Sequence, residues 1–427
     1  MASQQARQFL DRMHEIVWQD MGLTPRPRSA EDDAEAATLI SDLVDMRTGL
    51  VGPEALEALR AKLFRNEELL AAMTVSKYEN ARTNQSLHKL ADSVERAGRA
   101  LGFPMPERPL LGTLPTGRVN VMTLLVPATR EHLVLFESEF LGFAYLSAKA
   151  VAEVLPYRRS PEGGAVFSLE PGKVRERLEK HPQSAHRFGQ LARAYLETGV
   201  PYNAPQYTQD PVRNTWATML CESVELFALG HEYGHILKGH LGQQRPAARL
   251  GGPNLDEPEE LAWSRQEEFQ ADAQGLSLSV AAMRSRGYDL PIGFLGADFY
   301  FTMMHVMERA ISVLRHGHEN GPDGDDAQRP SLLRRMVGRQ SQNKPQGHKK
   351  SRAGDGTGDG AVTHPPSVLR RLMLRAVLAR DNTPQIAAAI ELGQNMEQVM
   401  EMLWFDLRPR LLDAHRAGVR PLERWQD

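Results

Sequence analysis

The chain predicts an α+β fold that is predominantly helical with one small sheet, and three observations carry that expectation. Segments with a 3.6-residue apolar repeat dominate both ends of the sequence. The interval 110–169 instead holds brief apolar runs bounded by Pro and Gly, as strands do. The composition, 41% hydrophobic and 25% charged over 427 residues, is that of an ordinary globular chain with ample core.

Residues 1–107 read as a helical N-terminal region. Leu87, Leu90, Val94, Ala97 and Leu101 form a helical stripe that stops at Gly102, and Pro104, Pro106 and Pro109 then mark a boundary. No chemistry-bearing pattern occurs there, so the region is expected to pack or to serve as a partner surface. Three strands of a small sheet are expected next, around Val119–Leu125, Leu133–Phe136 and Ala165–Leu169, with a helix near Glu139–Leu155 between the second and third. A helical hairpin follows across 174–198, then a long helix from about Pro211 to Leu241. A polar, Pro-rich loop at 243–258 leads to helices near Glu259–Arg286 and 292–316, and helices return from Pro366 to about Gly418. Residues 338–361 carry almost nothing apolar and read as a disordered polar insertion. The expected organisation is the region 1–107, one domain built from 108–337 and 362–427, and the insertion between its two pieces.

Net charge is −3, so no strong field draws the chain to nucleic acid or anionic lipid. The single cysteine, Cys221, excludes an intramolecular disulfide and points to a reducing compartment. No window reaches 18 apolar residues, so no membrane span is expected. Met1–Met21 has no continuous apolar stretch of the signal-peptide kind. The location expected from these features is the cytoplasm.

The long helix carries His231-Glu232-Tyr233-Gly234-His235. On a helix, i and i+4 lie on one face a turn apart, so both imidazoles can reach one ion. Glu232 is offset by about 100° and can instead contact a water on that ion. Trp216, Leu220, Val224 and Phe227 recur at helical spacing and the two histidines continue their stripe, so the rings point inward. Inward imidazoles at successive turns need polar partners. A pair of hydrogen-bonded core histidines is the bland alternative.

An open metal site needs a third protein ligand. Glu268 and Asp272, in Glu268-Phe269-Gln270-Ala271-Asp272, are i and i+4 on a helical segment. One carboxylate can bind the metal while the other accepts the second N–H of a ligand histidine. The alternative is a solvated acidic face. His240 reads as a helix-end residue, favourable against the helix dipole, and His305 as core packing. His316 and His318 are weak metal signals, and the run Gly354–Gly360 is neither a phosphate loop nor a calcium loop.

The succession of H-E-x-x-H and E-x-x-A-D resembles the gluzincin metallopeptidases, in particular the HtpX/CAAX-prenyl-protease family. Arg286-Gly287-Tyr288-Asp289 and Thr363-His364-Pro365-Pro366-Ser367-Val368-Leu369-Arg370 match further motifs of that family in order, over roughly 220–380. The resemblance implies a zincin-like domain in which His231, His235 and Glu268 bind Zn2+ and Glu232 is the general base. It implies that Asp272 orients a ligand histidine, and that His364 and Arg370 lie near the site and help stabilise an oxyanion. The expected activity is a zinc metalloendopeptidase acting on a cytosolic protein or peptide. The chain departs from the family in showing no membrane helices and no signal peptide, which disfavours prenyl-protein processing in a bilayer. Two alternatives stand beside this expectation: a non-catalytic, zinc-stabilised interaction or regulatory protein, and a regulatory protease that cleaves a single partner.

Overall fold

In a computed structural model, the residues described are 2–22, 76, 78–115, 120–160, 164–243, 245–249, 259–262, 264–319, 365–422 and 425, with a few isolated positions between 54 and 65. Predominantly helical architecture with a small sheet is what they show. His364 and the insertion at 338–361 lie outside the described residues.

Helix α1 (Gln4–Asp20) is capped by Ser3, whose side chain accepts from the Ala6 N–H. Helix α2 (Ala81–Ala100) is capped by Asn80 and gives way to Gly102 at φ 75°. Three strands follow: β1 (Leu110–Leu114), β2 (Val121–Leu125) and β3 (His132–Glu137). They form one sheet in the order β1-β3-β2, with β1 parallel and β2 antiparallel to the central β3. The sequence placed the third strand at Ala165–Leu169, and this is corrected by the structure. Residues Ala165–Phe167 (β5) pair with Tyr157–Arg159 (β4) in a separate hairpin, and β1 takes the sheet position. The run Leu110-Leu111-Gly112-Thr113-Leu114 buries four of its five residues, whereas β5 has no buried residue and cannot serve as a sheet's core strand.

The two edges of the sheet differ. At β1 the Thr113 N–H donates to Glu79 Oε1 at 3.2 Å, and Thr113 O lies 2.5 Å from His14 Nε2. Side chains from α1 and from the approach to α2 therefore occupy the polar groups that an edge would offer to another strand. The β2 edge lies beside the hairpin of β6 (Arg245–Arg249) and β7 (Glu259–Ala262), which is not hydrogen-bonded into its sheet. Strand β6 falls in the interval 243–258 expected to be a loop, and β7 takes the place expected for the first turn of the helix Glu259–Arg286, which begins instead at Arg265.

The other helices are α3 (Phe140–Val154), α4 (Pro171–Lys180), α5 (Gln183–Thr198), α6 (Pro211–Leu237), α7 (Arg265–Arg284), α8 (Leu290–His316), α9 (Ser367–Leu378) and α10 (Pro384–Arg416). One apolar core joins residues of α1, α2, the sheet, α3, α5, α6, α8 and α10. A smaller cluster, including Phe227, Leu276, Phe294, Phe301 and Leu374, sits where α6, α7, α8 and α9 meet. Among the described residues no helix is long and apolar enough to cross a membrane.

Glycines set how closely the helices approach. A Cβ on Gly234 would lie 2.8 Å from Ala271 O, and one on Gly275 would lie 2.7 Å from the His231 backbone nitrogen. A Cβ on Gly296 would likewise run into Ser223, so α8 crosses α6 at similarly short range. Glycine costs about 1 kcal/mol against alanine inside a helix. Here that cost is offset by contact between α6 and α7 that no side chain would permit.

Candidate metal centre

Helix α6 begins at Asp210, whose carboxylate accepts from the Val212 N–H at 2.7 Å, with Pro211 in the first turn. It then runs for 27 residues, and its last two turns carry His231, Glu232 and His235, all buried. Tyr233 points the other way and donates to Glu95 Oε1 at 2.8 Å, while Arg108 holds the same carboxylate at 2.7 Å. That link from α2 fixes the roll of α6 about its axis.

Helix α7 starts with a capping box: Ser264 Oγ accepts from the Glu267 N–H, and Glu267 Oε2 accepts from the Ser264 N–H. Glu267 thus serves the helix end. Its neighbour Glu268 turns inward to full burial, so the acidic pair is not a solvated face.

The potential ligand atoms of His231, His235 and Glu268 lie within 4.8 Å of one another, and this group could hold a metal ion. His231 Nε2 and His235 Nε2 are 3.1 Å apart. Glu268 Oε1 is 3.5 Å from His235 Nε2, and Glu268 Oε2 is 3.7 Å from His231 Nε2. Tetrahedral coordination at about 2.0–2.1 Å needs ligand atoms roughly 3.3 Å apart. The separations lie close to that spacing, with one Glu268 oxygen turned towards each imidazole. Burial lowers the pKa of His235 to about 3, with Glu268 offsetting only part of the effect, so its ring is neutral and its lone pair available at physiological pH.

Two supports brace the imidazoles. His231 Nδ1 is 2.9 Å from Asp272 Oδ1. Arg370, from α9, donates to Asp272 through Nε (2.9 Å) and Nη2 (2.5 Å), a bidentate fork, and its Nη2 is 3.1 Å from Glu268 Oε2. Burial alone would push the Asp272 carboxyl up, yet Arg370 and His231 hold it below the ordinary carboxylate range. The Arg370 guanidinium lies 4.8 Å over the Phe301 ring. On the other side, His240 Nδ1 is 3.0 Å from His235 Nδ1, and His240 Nε2 is 3.1 Å from Gln270 Oε1. Gly239 at φ 69° turns the chain back so that His240 folds under His235 and is buried. His240, expected only to end the helix, thus also packs under His235.

Glu232 is aimed by the sheet. Thr123, buried on β2, donates its hydroxyl to Glu232 Oε2 at 2.6 Å, and Glu232 Oε1 lies 4.0 Å from His231 Nε2. Nothing in the sequence marks Thr123 beyond its place on a predicted strand. Tyr300 of α8 also belongs here. Its ring packs on Phe227 and Phe301 at 5.5 and 5.2 Å, and its hydroxyl lies in the field of Arg370, Glu232, Asp272 and Glu268. Burial, more than those charges, raises its pKa and keeps the phenol protonated.

Of the seven site residues named from the sequence, six come together: His231, Glu232, His235, Glu268, Asp272 and Arg370. Arg370 meets the carboxylates of Asp272 and Glu268 through Nε and Nη2. Cys221 is buried, donates to Glu225 Oε1 at 3.2 Å, and is pushed well above its usual pKa by burial. It is an inert thiol. No protein family, curated protein or solved structure matches this chain.

Proposed function

We propose that this protein is a zinc-dependent metalloendopeptidase with a zincin-like catalytic domain, acting on a protein or peptide substrate. The observation that carries the reading is the triangle of His231, His235 and Glu268 with Glu232 set beside it by Thr123. A site serving only to staple the fold has no use for a buried carboxylate adjoining its ligands and held in one orientation. The order of the motifs, which resembles that of the gluzincins, supports the same reading.

His231 and His235 would hold zinc through Nε2, and Glu268 through its carboxylate. Zinc bound there supplies Lewis acidity, which polarises a carbonyl and brings a water's pKa towards 7. Glu232 takes a proton from the attacking water at Oε1, while Thr123 keeps Oε2 in place. As the C–N bond breaks, that proton passes to the leaving amine and the hydroxyl remains on the acyl carbon. Arg370 balances Asp272 and Glu268, so that three buried carboxylates coexist in one pocket. An extended substrate lies along β2, because the β1 edge is occupied by Glu79 and His14. The lone buried Cys221 fits a reducing, cytoplasmic setting.

The test is Glu232→Gln. It is expected to retain zinc and to lose hydrolysis of protein substrates by about 10²-fold or more, in line with loss of a general base. Full activity in that variant would refute the mechanism. The same variant used as a trap for bound proteins separates a broad peptidase from one that cleaves a single partner.

A further inference from the structure

The geometry points to His240 as a positioning residue of the metal centre, one that sets which nitrogen of His235 carries its proton and so presents the lone pair of His235 Nε2 to the metal. This rests on the metal-centre reading above and goes beyond the motif residues.

Three groups in a row fix where each proton sits. Gln270 Oε1 is an acceptor only, and it lies 3.1 Å from His240 Nε2, so that nitrogen carries hydrogen. With that hydrogen directed at Gln270, the lone pair of the His240 ring lies at Nδ1, 3.0 Å from His235 Nδ1. His235 Nδ1 must supply the hydrogen between them. His235 Nε2 therefore keeps its lone pair, and it is the atom 3.5 Å from Glu268 and 3.1 Å from His231 Nε2. Were the Gln270 amide reversed, every hydrogen in the relay would shift, and the proton would sit on the nitrogen that must coordinate. The Gln270 carbonyl thus fixes the tautomer of a residue two rings away. Packing holds the relay in register, since His240 and His235 meet edge to face with centroids 5.1 Å apart and planes at 72°.

The support also differs from its counterpart in chemistry. His231 leans on a carboxylate that Arg370 grips, whereas His235 leans on a second imidazole.

The experiment uses the full chain and zinc itself. Zinc affinity is measured by competition with a chelator, and the visible spectrum of the cobalt-substituted protein reports ligand geometry. His240→Phe is expected to weaken zinc binding by about 10–100-fold and to alter the cobalt bands. His240→Asn, which keeps an acceptor, is expected to restore most of the affinity. Gln270→Leu changes an exposed position with little risk to the fold, and is expected to weaken zinc by several-fold, while Gln270→Glu retains it. Melting of the metal-free proteins separates these effects from a purely structural one, which would lower stability and leave zinc affinity and the cobalt spectrum of the folded fraction unchanged. Wild-type zinc affinity in both His240→Phe and Gln270→Leu overturns the positioning role and leaves the metal centre standing. A wild-type chain that retains no zinc overturns both.

Discussion

The two imidazoles of the centre stand one helical turn apart and are held in opposite ways. His231 is braced by Asp272 on α7 and, through it, by Arg370 on α9, 139 residues away in sequence. That side is ionic, fully buried and assembled only when three helices meet. His235 is braced by His240, five residues on, with the exposed Gln270 completing the chain. One imidazole is secured by tertiary structure and the other by a local turn. Disturbing α9 should therefore act on His231 and on Glu268, and disturbing the turn after α6 on His235.

Helix α9 is well anchored for its part. Beyond Arg370, Arg375 grips Asp298 through Nε and Nη2 at 2.7 and 2.8 Å, and Arg371 donates to Thr302 at 2.8 Å. Glu397 of α10 accepts from both Arg371 and Arg375. A row of arginines on one helix thus ties α8, α10 and the metal centre together.

The largest expected effect breaks the ionic side. Arg370→Met leaves Asp272 and Glu268 buried without their counter-charge and should cost about 3–5 kcal/mol. Thermal unfolding with and without zinc checks it: the loss should be greater without zinc, because a bound cation replaces part of the missing charge. An equal loss in both states would mean that Arg370 acts apart from the site.

Gly275→Ala strikes both sides together, since its Cβ would lie 2.7 Å from the His231 backbone. Separating α7 from α6 there should destabilise by about 1–3 kcal/mol and weaken zinc binding, as overpacked helix crossings do. Calorimetry and zinc titration of one preparation report the two effects.

Asp272→Asn removes the anionic support alone and is expected to weaken zinc by about 10–100-fold. It also carries a pH signature. The Asp272 pKa is depressed in the folded chain, so its ionised form adds stability above the unfolded value of about 3.9, which is lost as pH falls through the folded value. The variant should lack that portion of the acid sensitivity, visible as a flatter melting temperature below about pH 4. Identical acid profiles would assign the stabilisation to other carboxylates.

The smallest effect concerns the base rather than either ligand. Thr123→Val removes the donor to Glu232 and should lower turnover about tenfold, from a hydrogen bond worth roughly 1–1.5 kcal/mol, while zinc affinity stays unchanged. A change in zinc affinity instead would show that β2 supports the ligands and not only the base.

Much of this centre is legible in the sequence because its spacing is local. His231 and His235, and Glu268 and Asp272, are i and i+4 pairs, and a helix puts such pairs on one face whatever surrounds it. Arg370 was visible only through the motif it closes, and its contact with the carboxylates comes from how α9 lands. Thr123 was hidden because alternation along a strand tells which side a residue faces and not what it meets there. His240 was in plain sight as a histidine after a glycine, but only the turn at Gly239 brings it under His235.

From the chain alone come the helices, the inward face of α6, the paired histidines and the carboxylate that joins them. These follow from periodicity and short-range capping, which need only neighbours in the chain. Tertiary structure alone decided that β1, and not Ala165–Phe167, completes the sheet. It decided too that Thr123 orients Glu232, and that Arg370 balances the carboxylates while a further histidine supports His235. The physical reason is that strand pairing and buried charge compensation are contacts between distant segments, selected by packing and the cost of burying polar groups rather than by any local preference.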